Sequence, residues 1–493
     1  MNLKNIKSRI GFIVLSLLFL DLLSYLAFFN LGILKLSFLL IILASAVLVI
    51  YKLEYGILIL LTELLIGSKG YLFYWPLGEK LIPIRMVLWA IVMFTFFIKF
   101  LSQLIKSGKA SEYYQKIINF SYLKYFSLLG IFIVIGVING FLRGHSLSNI
   151  FFDFNAFIYL LLIFPAIVIY KGIKEGNEPD KKQEDIFDNL KTVFLGGAIY
   201  LSLETLILLF IFTHNLNFAP DIYAWLRKTL VGEMTPTLSG WSRIFIQSQI
   251  YPIIAFLFLS LKESFRKVDI FLAALFFSSA LISFSRSFWL ALAVTIIFSL
   301  VLIWRYQGFK KSSRLFLKIS SAGILSFLII YIVAIFPYPK TGAFNADFLN
   351  RISNGGESAI SSRWSLMPEL FKEIKKEPIL GQGYGATVTY KSSDPRILQD
   401  NPSGIYTTYA FEWGYLDLWL KIGLLGLFSY FILLFILVKK SLKKKNINYL
   451  NLGLGMGLVF LSLTHIFTPY LNHPLGFGFL IIASCLIPIT RVY

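Results

Sequence analysis

Residues 10–50 read IGFIVLSLLFLDLLSYLAFFNLGILKLSFLLIILASAVLVI, a stretch that holds a single acid, Asp21, and a single base, Lys35. A hydrocarbon core about 30 Å thick takes about 20 apolar residues as a helix, so this stretch is long enough for two spans, with Asn30 and Gly32 between them. Only helices and closed barrels satisfy their backbone inside lipid. Barrel strands read as about ten alternating residues, whereas these runs are continuous, so helices are the reading. The first run follows Lys4, Lys7 and Arg9 and lacks a small-residue cleavage pattern, which makes it a retained helix rather than a signal peptide.

The same signal recurs almost to the end of the 493 residues, 57% of which are hydrophobic and 15% charged. A soluble protein carries about a quarter charged residues, so soluble enzyme, secreted domain and disordered chain are excluded. The fold class is all-α, a polytopic membrane bundle of about fourteen helices, near 10–29, 33–50, 55–72, 83–104, 123–142, 155–172, 192–213, 244–261, 268–284, 287–304, 315–336, 411–437, 449–467 and 475–491. Two parts are expected, N-terminal helices over 1–213 and a C-terminal region over 214–493.

A net charge of +20 invites a nucleic-acid partner, but the lysines lie in short clusters between apolar runs and are topology signals instead. The clusters Lys106 to Lys116, Lys171 to Lys191, Lys262 to Lys267, Arg305 to Lys318 and Lys439 to Lys445 all fall on one side of the threading. The positive-inside rule makes that side cytoplasmic, with both termini on it. The two segments that break the rhythm, 213–243 and 337–410, then lie outside. The second contains a helix signal, with Ser361 and Ser362 as caps and Trp364, Met367, Leu370, Phe371 and Ile374 at helical spacing. Its other face is charged, so it is expected along the membrane surface.

Arginines lie on or near the outer ends of helices: Arg143, Arg243, Arg286 in Phe284-Ser285-Arg286-Ser287, and Arg363 in Ser362-Arg363-Trp364. A guanidinium stays charged and offers a planar fork to phosphate oxygens, although any one of these could equally be an interface anchor. Arg286 is the hardest to dismiss, because it sits in a connection of a few residues between two apolar runs, where an unpaired charge is expensive. The string Gly381, Gln382, Gly383, Tyr384, Gly385, Ala386 formally fits a dinucleotide fingerprint, yet no strand precedes it and no helix opens at it. It reads as a turn, or as a backbone that lets amides or a substrate approach closely. Asp21, Glu63 and Glu204 are acids within spans, candidates for an ion path or for contacts between helices. Glu412 opens the twelfth run as a first-turn carboxylate or a base. His145, His214, His465 and His473 are scattered, no D-x-D or H-x-x-x-H occurs, and Cys485 stands alone, so neither a metal nor a cofactor is expected.

In order and topology these pieces resemble the O-antigen ligase and O-antigen polymerase superfamily of bacterial membrane glycosyltransferases. The resemblance rests on Ser285-Arg286 at a tight turn, Ser362-Arg363 opening an amphipathic helix, Pro378 with Gly381, Gly383 and Gly385, and Tyr415-Leu416 followed by Gly423-Leu424-Leu425-Gly426. Arg243 with Pro252 also fits, and the likeness runs from about 240 to 440. It implies transfer of a glycan from an undecaprenyl-diphosphate carrier to a glycan acceptor on the outer face of the cytoplasmic membrane, without metal or nucleotide sugar. A chain-length regulator and a flippase are implied as further partners. The ligase branch usually shows His-Asn eleven residues before the Gly of Gly-Leu-x-Gly; here that position is Glu412, followed by Trp413. The resemblance thus favours a polymerase over a ligase, with a small-anion transporter of the same superfamily as the reading from another class. On this basis Glu412 and Arg286 are the expected catalytic residues, and Arg243, Arg363, Arg143, Gly381, Gly383, Gly385 and Tyr415 the expected substrate contacts.

Overall fold

The computed structural model describes residues 3–78, 80–170, 181–237, 241–263, 266–337, 358–443 and 448–487. Helices dominate it. In chain order they are α1 (Leu3–Phe29), α2 (Leu31–Tyr51), α3 (Leu53–Gly67), α4 (Ile84–Ser107), α5 (Glu112–Ile118), α6 (Leu123–Leu142), α7 (Leu147–Ile158), α8 (Ile163–Tyr170), α9 (Lys181–Thr213) and α10 (Ala219–Thr229). There follow α11 (Ile250–Leu261), α12 (Lys267–Ile282), α13 (Arg286–Gln307), α14 (Phe309–Ile335), α15 (Ser358–Lys376), α16 (Pro395–Asp400), α17 (Gly414–Ser441), α18 (Tyr449–His465) and α19 (Pro474–Leu486). Every apolar run singled out in the sequence contains a helix. Among the described residues nine helical stretches are long and apolar enough to cross a membrane, and α11, α18 and α19 are shorter apolar helices. The protein is an all-α, polytopic membrane bundle.

Its surface shows the same logic. Phe12, Leu15, Phe19 and Leu22 on α1 and Ile324, Leu328 and Ile332 on α14 are exposed, which water would penalise and lipid does not. The interior is filled by α11, α18 and α19, where Ile253, Ile254, Phe256, Leu458, Phe460, Phe477 and Leu480 are fully buried.

Among the described residues three antiparallel hairpins stand outside the helices: β1 (Tyr74–Leu77) with β2 (Lys80–Pro83), β3 (Gly232–Pro236) with β4 (Ser242–Ile246), and β5 (Val388–Lys391) with β6 (Ile405–Thr408). The third lies in the second segment that broke the apolar rhythm and β3 in the first, while β4 runs on into the start of the expected 244–261 span. The part of the long loop at 338–357 lies outside the described residues, as do 171–180 of the 171–191 cluster and the end of the 439–445 cluster.

The helix expected in the long loop exists as α15, but Ser361 and Ser362 lie within it rather than capping it. Their hydroxyls pair with Ser393 and, at 2.8 Å, with Ser392. Its apolar face does not simply lie on lipid. Leu366, Leu370 and Ile374 are buried in a small core of their own with Val388, Phe411, Trp413 and Leu420, while Trp364 and Phe371 stay exposed. We call the side of the bundle that carries α15 the loop face.

Candidate active site on the loop face

The Gly-rich string is built into the bundle. At Gly423 α17 breaks, with φ 70° and ψ 178°, a conformation open to glycine. The break strands helix amides, and the loop supplies their partners: Leu424 N–H donates to Pro378 O at 2.9 Å and Leu425 N–H to Ile379 O at 3.3 Å. In return Gln382 N–H donates to Leu420 O at 2.7 Å and Tyr384 N–H to Gly136 O of α6 at 3.0 Å. A Cβ on Gly381 would lie 2.5 Å from Gly423 N, and one on Gly383, whose φ is +93°, only 2.2 Å from Gly140 N. The two motifs, Pro378 to Gly385 and Gly423 to Gly426, are therefore two halves of one joint. Gly381, Gly383 and Gly385 face α17, α6 and Ile150 of α7 respectively.

Beneath this joint lies a charge cluster that sequence reading did not assemble. Lys421, 2% exposed, forms ion pairs with both Asp153 of α7 and Asp417, one turn back on α17. The second Asp153 oxygen accepts from Gly385 N–H at 2.9 Å, and Asp417 accepts from Asn472 Nδ2 at 2.6 Å. His145 Nδ1 meets Tyr384 O at 2.9 Å. Four segments are thus tied through one ammonium: α7, the Gly-rich loop, α17 and the turn between α18 and α19. Tyr409, in the loop before α17, has its phenol pushed above the usual tyrosine range, by burial first and by the Asp153 charge second. The available signal was the Asp417/Lys421 spacing of one helical turn in an apolar run.

Along the rim a chain of contacts links four of the nine expected site residues, Arg363, Glu412 and Arg243 with the turn that carries Arg286. Arg363 and Glu412 form an ion pair with each other, their side chains 36% and 56% exposed. Trp413 Nε1 donates to Arg363 O at 3.0 Å, and its ring lies 5.6 Å from Trp364 and 5.5 Å from Phe467. The residue after Phe467, Thr468, shares a hydrogen bond of 2.9 Å with Ser287, which pairs at 3.0 Å with Ser285. Those serines flank Arg286, half-buried in the first turn of α13. The turn into α13 is tight, with Phe284 at a left-handed φ of 46°, a cost for a bulky residue that the surroundings must hold in place. Arg243 of β4 reaches the same turn, donating from Nε to Ser283 O at 2.9 Å with its guanidinium over the Phe245 ring.

The other expected contacts sit elsewhere. Arg143, after the end of α6, pairs with Glu377 at 2.8 Å. The Tyr415 hydroxyl donates to Ser462 O at 2.9 Å while its ring packs on His465 and Phe431, facing α18. The acids within spans divide. Glu63 holds Arg85 in a bidentate pair at 2.5 and 3.1 Å, and Asp21 accepts from the Tyr200 hydroxyl.

The fold defines a class, a multi-pass membrane protein, here with Arg363 and Glu412 paired and joined by a chain of contacts to the turn where Arg243 and Arg286 lie. Residues 271–431, about a third of the chain, match the family described as O-Antigen ligase. The match takes in Arg286, Arg363, Glu412, the Gly-rich loop and Gly423, and it supports placement in the O-antigen ligase and polymerase superfamily of membrane glycosyltransferases. No curated protein matches the chain.

Proposed function

We propose that this protein is a polymerase that joins undecaprenyl-diphosphate-linked oligosaccharide repeat units into a surface polysaccharide such as O-antigen, capsule or exopolysaccharide. The reaction takes place on the outer face of the bacterial cytoplasmic membrane, both termini lie in the cytoplasm, and the transfer uses no metal. The observation that carries this reading is the rim itself: Arg243 and Arg286 share the turn into α13, and Thr468, Phe467 and Trp413 link that turn to Arg363 and Glu412.

In the reaction an acceptor sugar hydroxyl forms a C–O bond to the anomeric carbon of the donor glycan. The bond from that carbon to the diphosphate oxygen breaks, and its electron pair leaves with undecaprenyl diphosphate. Glu412 takes the hydroxyl proton. Arg286, Arg243 and Arg363 hold the diphosphate and stabilise the charge that grows on it. The positive end of α13, a helix of 22 residues, adds to that field. A flippase delivers the donor and a chain-length regulator ends the product.

A second reading, transfer of a finished glycan to a lipid or protein acceptor, is favoured by the description of the matching family and uses the same clamp. Purified protein given lipid-linked repeat units alone yields a ladder if it polymerises, and one product with an added acceptor if it ligates. Arg286→Gln and Glu412→Gln are expected to remove product by about a hundredfold or more while the protein remains folded. Full activity in both variants would refute the site.

A further inference from the structure

Resting on the clamp just described, we propose that the Arg363 and Glu412 pair is a switch operated by the donor: the diphosphate takes Arg363 from Glu412, and the carboxylate so released becomes the base. In the structure the two groups assigned opposite tasks are bonded to each other. A carboxylate engaged by a guanidinium is a poor acceptor for a hydroxyl proton, and its partner is already partly used as an anion site. Both side chains are open to solvent, at 36% and 56%, and exposed pairs of this kind hold together by no more than about fivefold. A diphosphate offers several charged oxygens to the guanidinium fork where Glu412 offers two, so it wins the exchange.

The backbone around the pair is already fixed. Trp413 Nε1 bonds the Arg363 carbonyl at 3.0 Å, and Ser362 and Ser365 bond Ser392 and the Lys391 carbonyl, each at 2.8 Å. Opening the pair therefore moves two side chains and nothing else. The consequence is coupling: the base is uncovered only when the leaving group is seated, and an empty site does not activate acceptor hydroxyls.

Competition predicts affinity changes of opposite sign, which a purely structural pair does not. Binding of farnesyl diphosphate to the full-length protein in detergent micelles, followed by calorimetry, reads it directly. Glu412→Gln and Glu412→Ala are expected to bind about two- to fivefold tighter than wild type, and Arg363→Gln about tenfold weaker or worse. Glu412→Gln added to Arg363→Gln brings no gain, and Glu369→Gln, which removes another exposed charge of α15, changes nothing. Unchanged or weaker binding in both Glu412 variants overturns the switch, as does a gain that persists without Arg363. A wild type that binds no farnesyl diphosphate removes the clamp, and the proposed function with it; a wild type that binds while the Glu412 variants fail to tighten removes the switch alone.

Discussion

Of the acid–base pairings on the loop face, two have opposite characters because their surroundings differ. Lys421 with Asp153 and Asp417 is sealed beneath the Gly-rich loop, whereas Arg363 with Glu412 stands in solvent at the rim. Charges removed from water are costly to strand, so the buried set acts as a cross-link that must stay whole. Solvated charges lose little by parting, so the rim pair is free to change partners. One cluster holds four segments in register, and the other is the pair to which the proposed function assigns the chemistry.

The contrast is tested most severely by taking one cation from each. Lys421→Met leaves two buried carboxylates opposed, at a cost of about 3–5 kcal/mol, and is expected to lower the thermal midpoint in detergent sharply or to abolish folded yield. Arg363→Gln should cost no more than about 1 kcal/mol and leave the midpoint nearly where it was. Equal midpoints for the two variants would erase the distinction. Next in size comes the joint between them. Gly383→Ala puts a Cβ 2.2 Å from Gly140 N at a φ of +93°, a combination of strain and overpacking of about 2–4 kcal/mol. Gly130→Ala, on α6 with nothing within 4 Å of its Cβ, serves as the matched control and should be neutral. Thermal unfolding of both variants decides whether the loop is a joint or a loose turn.

The helices were legible because the signal for a span is local: about twenty apolar residues in a row need no knowledge of neighbours. Arg286 and Glu412 stood out for a related reason, since charge is conspicuous at the ends of apolar runs, and Arg363 stood out on the amphipathic helix of the long loop. What escaped was pairing. Asp153 and Lys421 are 268 positions apart, and nothing in either neighbourhood names the other. Asp153 also fell outside the expected 155–172 span, because the helical stretch starts at Leu147. The glycine motifs were visible as strings, but their reason, a broken helix whose amides are completed by Pro378 and Ile379, exists only in three dimensions. The apolar stripe of α15 was read only in part and placed too simply: Leu370 and Ile374 find a core of their own together with Leu366, which the stripe had left out, while Trp364 and Phe371 stay exposed. A periodicity says that a face is buried and not by what.

Glu373 supplies the intermediate case and the smallest expected effect. On α15, outside the spans, its carboxylate accepts from Lys376 Nζ at 2.7 Å and from Gln382 Nε2 at 3.1 Å, so it ties α15 to the Gly-rich loop. Partial burial pushes its pKa up, but the hydrogen bonds from Lys376 and Gln382 and the charges of Lys376 and Lys372 outweigh that and hold it below the usual glutamate range. A depressed folded value means that the stabilisation is present above the unfolded value, about 4.3, and is lost as pH falls through the folded one. Wild type is therefore expected to lose thermal stability on acidification through that window a little faster than Glu373→Gln, which has no proton to take up there. Above about pH 6 the variant should be slightly the less stable of the two. Parallel pH profiles would show that Glu373 behaves like the solvated rim and contributes nothing to the joint, whereas profiles that converge on acidification would place it with the buried cross-link, weakened in proportion to its contact with water.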